Sequence, residues 1–269
     1  MWGWGGLLDL CQVVLAGFVH GVLEWLPVSS SGQVMVFLSG VFGLELVEAY
    51  GLAVYLHVGT LFSAILYYGG DIVGCVRSCG LGFSNLLVRL WVVTTMVSVV
   101  VGYPMYLVYR ETLSGVSLDV VTGVVGLLLI VTGLMLKYAG SKRSYRTFED
   151  LRVRDYIVLG IVQGASVIPG VSRSGVTIAV LLFLGLRGSD AVKTSFLASI
   201  PVIALASIYA GLSQGYIVSV VGLMGMLSAF GAGLIGLQVM VFLSRRLPLH
   251  YFALAMGLVM VLASIPFAV

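Results

Sequence analysis

The chain has 269 residues, of which 60% are hydrophobic and only 9% are charged, and its mean hydropathy is +1.13. Soluble domains carry about 25% charged residues, so this composition excludes a water-soluble globular fold and a disordered chain. The net charge of +3, from 14 basic and 11 acidic residues, also excludes the dense basic surface of a nucleic-acid-binding protein. We therefore expect an all-α integral membrane protein with no nucleic-acid partner.

The first apolar segments of the chain are too short to cross a bilayer. A membrane-spanning helix needs about 20 mostly apolar residues, whereas residues 7–19 and 34–46 are shorter apolar runs on either side of a polar, serine-rich segment. Short helical arms around a polar tip predict a re-entrant hairpin, which enters the membrane and returns to the same side.

The rest of the chain contains a second short-armed hairpin, over residues 156–168 and 176–186, and six longer apolar stretches. These stretches are predicted membrane spans, three after each hairpin. They lie near residues 50–69, 89–109, 118–137, 192–212, 216–243 and 251–269.

The two hairpin regions also resemble each other, since placing His20 on Gln163 brings Ser29 over Ser172 without a gap. We therefore interpret the chain as one membrane domain with two halves, each a re-entrant hairpin plus about three transmembrane helices. Repeat 1 covers about residues 1–138, repeat 2 about 155–269, and a cytoplasmic loop about 139–154. Because three crossings is an odd number, the halves are expected to insert with opposite orientations, as in transporters built from inverted repeats.

The positions of the basic residues predict which side of the membrane is cytoplasmic. Under this layout all basic residues fall on one side except Arg110, on the other side, and Arg173, in the second tip. By the positive-inside rule the crowded side faces the cytoplasm, so both termini are expected outside the cell.

Polar residues at membrane depth mark the first tip as a candidate site, because ionisable groups there cost about 2.5–3.5 kcal/mol each on insertion scales. Glu24 lies four residues after His20, so on a helical arm both side chains point the same way. The carboxylate can then hold the tautomer of the imidazole, raise its basicity or help it to bind a divalent cation. Pro27 ends this arm, and the run SSSG at 29–32 opens the next one with hydroxyls and N–H groups that attract anions.

The second tip repeats this arrangement and adds a cation. Pro169 and Gly170 break the helix, and the run SRSG at 172–175 starts the next one. The Arg173 guanidinium beside helix-start N–H groups suits a phosphate, which it can bind with two parallel hydrogen bonds. If the tips meet, their groups suit phosphoryl transfer. A purely structural ion pair between Glu24 and Arg173 is the alternative, and His57 in the first span is expected to be a packing residue.

Both tips resemble the undecaprenyl-diphosphate phosphatases, also called bacitracin-resistance proteins. The resemblance rests on EWLPVSSSG at 24–32 and PGVSRSGVT at 169–177, with HVGT at 57–60 as a weaker third element. It implies a membrane hydrolase that removes the terminal phosphate of an undecaprenyl-type diphosphate and leaves the monophosphate lipid carrier for glycan export. It also implies a plasma-membrane location, a site that opens to the outside, and a divalent cation, Mg²⁺ or Ca²⁺, as cofactor.

This chain departs from the family pattern at two positions. The family usually has Glu or Gln where His20 stands, and its phosphatases have an acid pair four residues apart. Gln33 stands where the family has a histidine that is assigned as base or nucleophile, and glutamine takes up no proton at neutral pH. Either His20 does the work of the base beside Glu24, or the chemistry is lost and the chain is a polyprenyl-phosphate flippase, a transporter or a non-catalytic lipid-phosphate binder.

The leading hypothesis is therefore a polyprenyl-diphosphate phosphatase with Glu24, Ser30, Arg173 and His20 as catalytic residues. Glu24 and His20 are the expected metal ligands, and the nucleophile is either Ser30 or a metal-activated water. The other polar tip residues are assigned to substrate binding: Ser29, Ser31, Gly32, Gln33, Ser172, Ser174, Gly175 and Thr177. The sequence leaves the oligomeric state open, with a homodimer as one alternative.

Overall fold

The structure is a computed structural model that describes residues 9–79, 82–83, 85–113, 115–141, 145–214, 219–244 and 246–265. Over these residues the chain forms eleven α-helices, one 3₁₀ turn and no β-strand. The elements are α1 Leu10–Leu23, α2 Ser30–Phe42, α3 Leu46–Tyr67, α4 Gly69–Cys79, α5 Leu86–Leu113, α6 Leu118–Gly140, the 3₁₀ turn Phe148–Asp150, α7 Val153–Ala165, α8 Arg173–Phe183, α9 Gly188–Gln214, α10 Val220–Ser244 and α11 His250–Ala263.

Five helices among the described residues, α3, α5, α6, α9 and α10, are long and apolar enough to cross a membrane. The prediction of an all-α integral membrane protein is confirmed. The sixth predicted span corresponds to α11, which is shorter in the described part of the chain. The first span ends at Tyr67, and the sequence missed α4 after it because GGDIVGCVRSC mixes charged with apolar residues.

Two pairs of short helices, α1 with α2 and α7 with α8, are the arms on either side of the two polar tips. Asp9 caps α1, since its carboxylate accepts a hydrogen bond from the Gln12 backbone N–H at 2.8 Å. Helix α2 begins at Ser30 with Ser29 as its N-cap residue, so the serine run opens the second arm as the sequence predicted. The division into inverted repeats stays a prediction, and the basic residues Lys142, Arg143 and Arg245 lie outside the described residues.

Helix α10 packs closely against both α1 and α3, and small residues make this approach feasible. A Cβ atom on Gly17 of α1 would lie 2.2 Å from the carbonyl oxygen of Gly225, and one on Gly59 of α3 would lie 2.2 Å from that of Met226. Because α10 contacts both helices, it fixes the distance between the side chains of the first tip and those of α3.

Candidate active site

The two tips touch in the interior of the protein through three polar contacts. The Ser29 hydroxyl accepts a hydrogen bond from the Gly170 N–H at 2.9 Å, and the Ser174 hydroxyl donates one to the Leu26 carbonyl at 3.0 Å. The third contact is the ion pair between Arg173 and Glu24. The tips therefore form one cluster, which brings the charged groups and hydroxyls of both together.

Glu24, just after the end of α1, lies at the centre of this cluster, and its side chain is only 3% exposed. Its Oε1 atom accepts a hydrogen bond from Nη2 of Arg173. Its Oε2 atom accepts one from the Ser30 hydroxyl at 2.5 Å and lies 3.1 Å from Nε2 of His57 and 3.6 Å from Nε2 of His20. Both carboxylate oxygens are thus engaged by groups from other parts of the fold, which stabilise the buried charge.

An unusual backbone conformation places Ser30 beside Glu24. Ser29 has φ 58° and ψ 71°, in the left-handed region, and it is the one described non-glycine residue with a positive φ. Such a conformation costs on the order of 1–3 kcal/mol and persists where surrounding contacts hold it, as the Gly170 N–H does here. Because of this turn, α2 begins with the Ser30 hydroxyl directed at the carboxylate.

Arg173 is the first residue of α8, next to the N-cap residue Ser172, whose hydroxyl accepts a hydrogen bond from the Gly175 N–H at 3.2 Å. One nitrogen of its guanidinium, Nη2, binds Glu24, and the guanidinium lies 6.0 Å from the Trp25 ring. The second terminal nitrogen of the guanidinium, Nη1, is buried and has no hydrogen-bond partner among the described residues. A buried, unpartnered donor is costly, so Nη1 is suited to bind an anionic ligand.

A cavity of about 370 Å³ opens beside these groups. Seven of the predicted site residues line it: Glu24, Ser29, Ser30, Ser31, Ser172, Arg173 and Ser174. Aliphatic and aromatic side chains from α5 and α9 complete the wall, among them Val99, Tyr103, Tyr106, Leu205 and Tyr209. Such a combination of a few polar groups with apolar walls is typical of a site for an amphipathic ligand.

Four predicted substrate-binding residues do not line the cavity. The Thr177 hydroxyl donates to the Arg173 carbonyl at 2.7 Å and contacts the Ser195 hydroxyl at 2.6 Å, and the Gln33 amide donates to the Val28 carbonyl at 3.3 Å. Gly32 and Gly175 are positions of close packing, where an added Cβ would lie 3.0 Å from the Ser29 hydroxyl or 2.4 Å from a Thr132 methyl. These residues shape the tips rather than the cavity surface.

His57 is a site residue that the sequence reasoning took for a packing residue. Its Nε2 atom faces Glu24, its ring packs edge-on against that of His20 with centroids 4.3 Å apart, and it lines the cavity. The HVGT element pointed to it, but its place on a separate span hid the contact. The aromatic wall of Tyr103, Tyr106 and Tyr209 was also missed, because tyrosines in apolar helices carry no distinctive pattern.

His20, Glu24 and His57 together could hold a metal ion, since one ligand atom of each lies within 4.8 Å of the other two. His20 is fully buried, and neither of its ring nitrogens has a hydrogen-bond partner among the described residues. Two imidazoles and a carboxylate are a donor set that proteins use for divalent cations. The residues present therefore fit a bound cation.

Comparisons with known proteins identify the family of this chain. The family model described as "Bacitracin resistance protein BacA" matches residues 13–262. A protein named undecaprenyl-diphosphatase from Methanothrix thermoacetophila is 32% identical, over 94% of this chain and 96% of the relative. Proteins of the same name from Sulfurisphaera tokodaii and Methanopyrus kandleri are 30% and 36% identical, over 96% and 93% of this chain and 98% and 94% of the relatives. The chain therefore belongs to the family of bacitracin-resistance proteins.

Proposed function

We propose that the protein is a membrane phosphatase that hydrolyses an undecaprenyl-type diphosphate to the monophosphate lipid carrier. The observation that carries the proposal is the contact of Glu24 with both Ser30 and Arg173 at the wall of an apolar cavity. The names of the relatives and the family membership point to the same substrate.

Ser30 is the proposed nucleophile, because its hydroxyl already donates to a carboxylate that can take up its proton. As the Ser30 oxygen attacks the terminal phosphorus, its proton passes to Glu24, and the bond from that phosphorus to the bridging oxygen breaks. The lipid monophosphate leaves with the bridging oxygen. A water molecule then displaces the serine oxygen from phosphorus, and Ser30 regains its proton from Glu24. The water oxygen becomes the fourth oxygen of the released phosphate, which carries away both protons of the water.

Arg173 is the proposed anchor for the diphosphate. Its unpartnered Nη1 donor can bind a phosphate oxygen while Nη2 keeps its contact with Glu24. The N-termini of α2 and α8 add backbone N–H groups that favour negative charge. Charge that develops on the terminal phosphate is then stabilised by fixed donors, which is the main requirement of phosphoryl transfer.

The departures at positions 20 and 33 are compatible with this activity. Glu24 supplies the proton acceptor for Ser30, so the reaction requires no base at Gln33. His20, Glu24 and His57 are the residues that would hold a divalent cation. When bound, such an ion supplies charge stabilisation for the phosphate oxygens.

We place the protein in the plasma membrane, with both termini outside and the cavity open to the outside. The asymmetry of the basic residues in the sequence supports the orientation of the termini, and the resemblance to the family supports a cavity that opens to the outside. The apolar wall of the cavity suits the prenyl chain of a lipid that enters from the bilayer.

The test is phosphate release from a prenyl diphosphate by the purified, detergent-solubilised chain, compared with divalent cations and with EDTA. We expect turnover that Arg173→Ala abolishes and that Arg154→Ala preserves, since the Arg154 side chain is 75% exposed. Lipid translocation in proteoliposomes without phosphate release would instead assign the chain to the flippases and refute the phosphatase.

A further inference from the structure

We propose that His20, Glu24 and His57 form a binding site for a transition-metal ion of the Zn²⁺ class, and that this chain discriminates against Mg²⁺ and Ca²⁺. The inference deepens the proposed function, on which it rests for the role of the ion. Binding itself is measurable without substrate, so the two claims can fail separately.

Three ligand atoms, from α1 and the residue after it and from α3, converge at this site. Glu24 and His20 are brought together by their spacing of one turn on and just beyond α1, and His57 comes from α3, which α10 holds against α1. The Nε2 atoms of both histidines point at the same carboxylate oxygen, at 3.1 and 3.6 Å. Three groups aimed at one point indicate a common partner between them.

The hydrogen bond of His57 to the backbone defines which of its ring nitrogens carries a proton. Its Nδ1 atom lies 2.9 Å from the Ala53 carbonyl oxygen, which can only accept a hydrogen bond, so Nδ1 carries a proton. In the neutral ring, Nε2 then directs a lone pair at the Glu24 oxygen, and the contact is favourable only with a proton or a metal ion between the two atoms. A ring N–H bound to a backbone carbonyl is also the usual outer contact of a metal-binding histidine.

His20 is fully buried, and neither of its ring nitrogens has a hydrogen-bond partner among the described residues. A proton shared between His57 and Glu24 would satisfy that pair and still leave His20 without a partner. A metal ion satisfies all three groups at once, because an imidazole nitrogen with a free lone pair is a metal ligand.

The kind of ion follows from the donor atoms. Two imidazoles and one carboxylate are a ligand set of zinc enzymes, in which a further position stays open for substrate. Mg²⁺ and Ca²⁺ require mostly oxygen ligands, six or more for Ca²⁺. This site offers one carboxylate oxygen, Oε2 of Glu24, which also accepts a hydrogen bond from Ser30, since Oε1 is engaged by Arg173. Nitrogen donors outnumber carboxylate oxygens here, which favours Zn²⁺, Co²⁺ or Ni²⁺.

The experiment uses Co²⁺ as a spectroscopic probe on the metal-stripped full-length chain in detergent, without substrate. We expect a visible Co²⁺ absorption band that Zn²⁺ displaces and that a large excess of Ca²⁺ or Mg²⁺ leaves in place. His20→Ala and His57→Ala should each weaken Co²⁺ binding by more than the roughly 10–100-fold that loss of an outer-shell partner costs. His250→Ala is the matched control, because His250 packs against Tyr251 at the start of α11.

A further variant tests whether position 20 determines the preference for Co²⁺ over Ca²⁺. His20→Glu creates a pair of acids four residues apart, and we expect it to lower the preference for Co²⁺ over Ca²⁺ at least about tenfold in competition. The proposal is overturned if the wild-type chain binds Ca²⁺ or Mg²⁺ more tightly than Co²⁺, or if Co²⁺ binding survives in both alanine variants. Phosphatase activity without Co²⁺ binding would leave the proposed function intact and refute the metal site. Co²⁺ binding without phosphatase activity would leave the metal site intact and refute the proposed function.

Discussion

Replacement of Glu24 by glutamine tests the central role of this carboxylate. The amide of Glu24→Gln can keep its oxygen toward Arg173, which places its NH₂ group where Oε2 now accepts from Ser30 and faces Nε2 of His57. The NH₂ group can donate to the lone pair of His57, so the site keeps most of its contacts. Among these protein contacts only the Ser30 hydroxyl loses its acceptor, and a bound cation would lose its carboxylate ligand.

The expected loss follows from this difference. A charge-assisted hydrogen bond contributes about 1.5–3 kcal/mol, and loss of the charge opposite the Arg173 guanidinium costs up to about 3–5 kcal/mol, so the free energy of unfolding should fall by a few kcal/mol. A positioned base contributes about 10²–10⁴-fold to the rate, or roughly 3–5 kcal/mol in activation free energy, and glutamine cannot act as one. We therefore expect kcat to fall at least about 100-fold while the protein remains folded.

The assay is steady-state phosphate release with thermal melting of the same samples. Glu149→Gln, at an exposed position of the 3₁₀ turn, is the matched control and should behave as the wild type. If Glu24 acts through Ser30, the double variant with Ser30→Ala should be no slower than the slower single variant. A folded Glu24→Gln protein that keeps its kcat would refute the assignment of Glu24 as the base.

Three further experiments test the packing and geometry of the site. Gly59→Ala should lower the melting temperature, at a cost of about 1–3 kcal/mol, because its Cβ would collide with the Met226 carbonyl, whereas Gly231→Ala, in open space on α10, should not. Gln33→His should change kcat by less than about threefold, far below the effect of a general base, because this side chain lies away from the cavity; a restored large rate would contradict this. Ser29→Ala should have a lower melting temperature than Ser29→Gly, because both variants lose the hydroxyl that accepts from the Gly170 N–H but only glycine tolerates the left-handed conformation. A lower melting temperature for Ser29→Gly would show that the backbone of Ser29 is not strained.

The sequence predicted the parts of the site that depend on composition. Charged residues at membrane depth are costly, so Glu24 and Arg173 were expected to have partners, and an ion pair between them was the alternative that the sequence left open to a role of Arg173 in phosphate binding. The interrupted helical arms followed from Pro27 and Pro169 in the same way. These predictions rest on local chemistry that any fold of this chain must satisfy.

Other features depended on packing and could not be predicted. The distance between His57 and Glu24 is set by the approach of α1 and α3 to α10, which no local pattern encodes. Thr177 looked like a phosphate ligand from its place in the second tip, but its hydroxyl bonds to a carbonyl of its own helix and faces α9. A serine in the left-handed conformation also gives no signal, since glycine is the residue that marks such turns.

The two departures from the family pattern have a common explanation in the charge balance around Glu24. One carboxylate faces one guanidinium here, and an acid at position 20 would place a second negative charge beside it, which calls for an oxygen-binding divalent cation. His20 removes that charge and supplies nitrogen in its place. In the proposed mechanism Glu24 takes the proton of Ser30, so no second base is required at position 33, where the Gln33 amide donates to the Val28 carbonyl that precedes the serine turn. Substitution at the two positions should therefore act on different properties: metal preference at position 20, and the geometry of the turn at position 33.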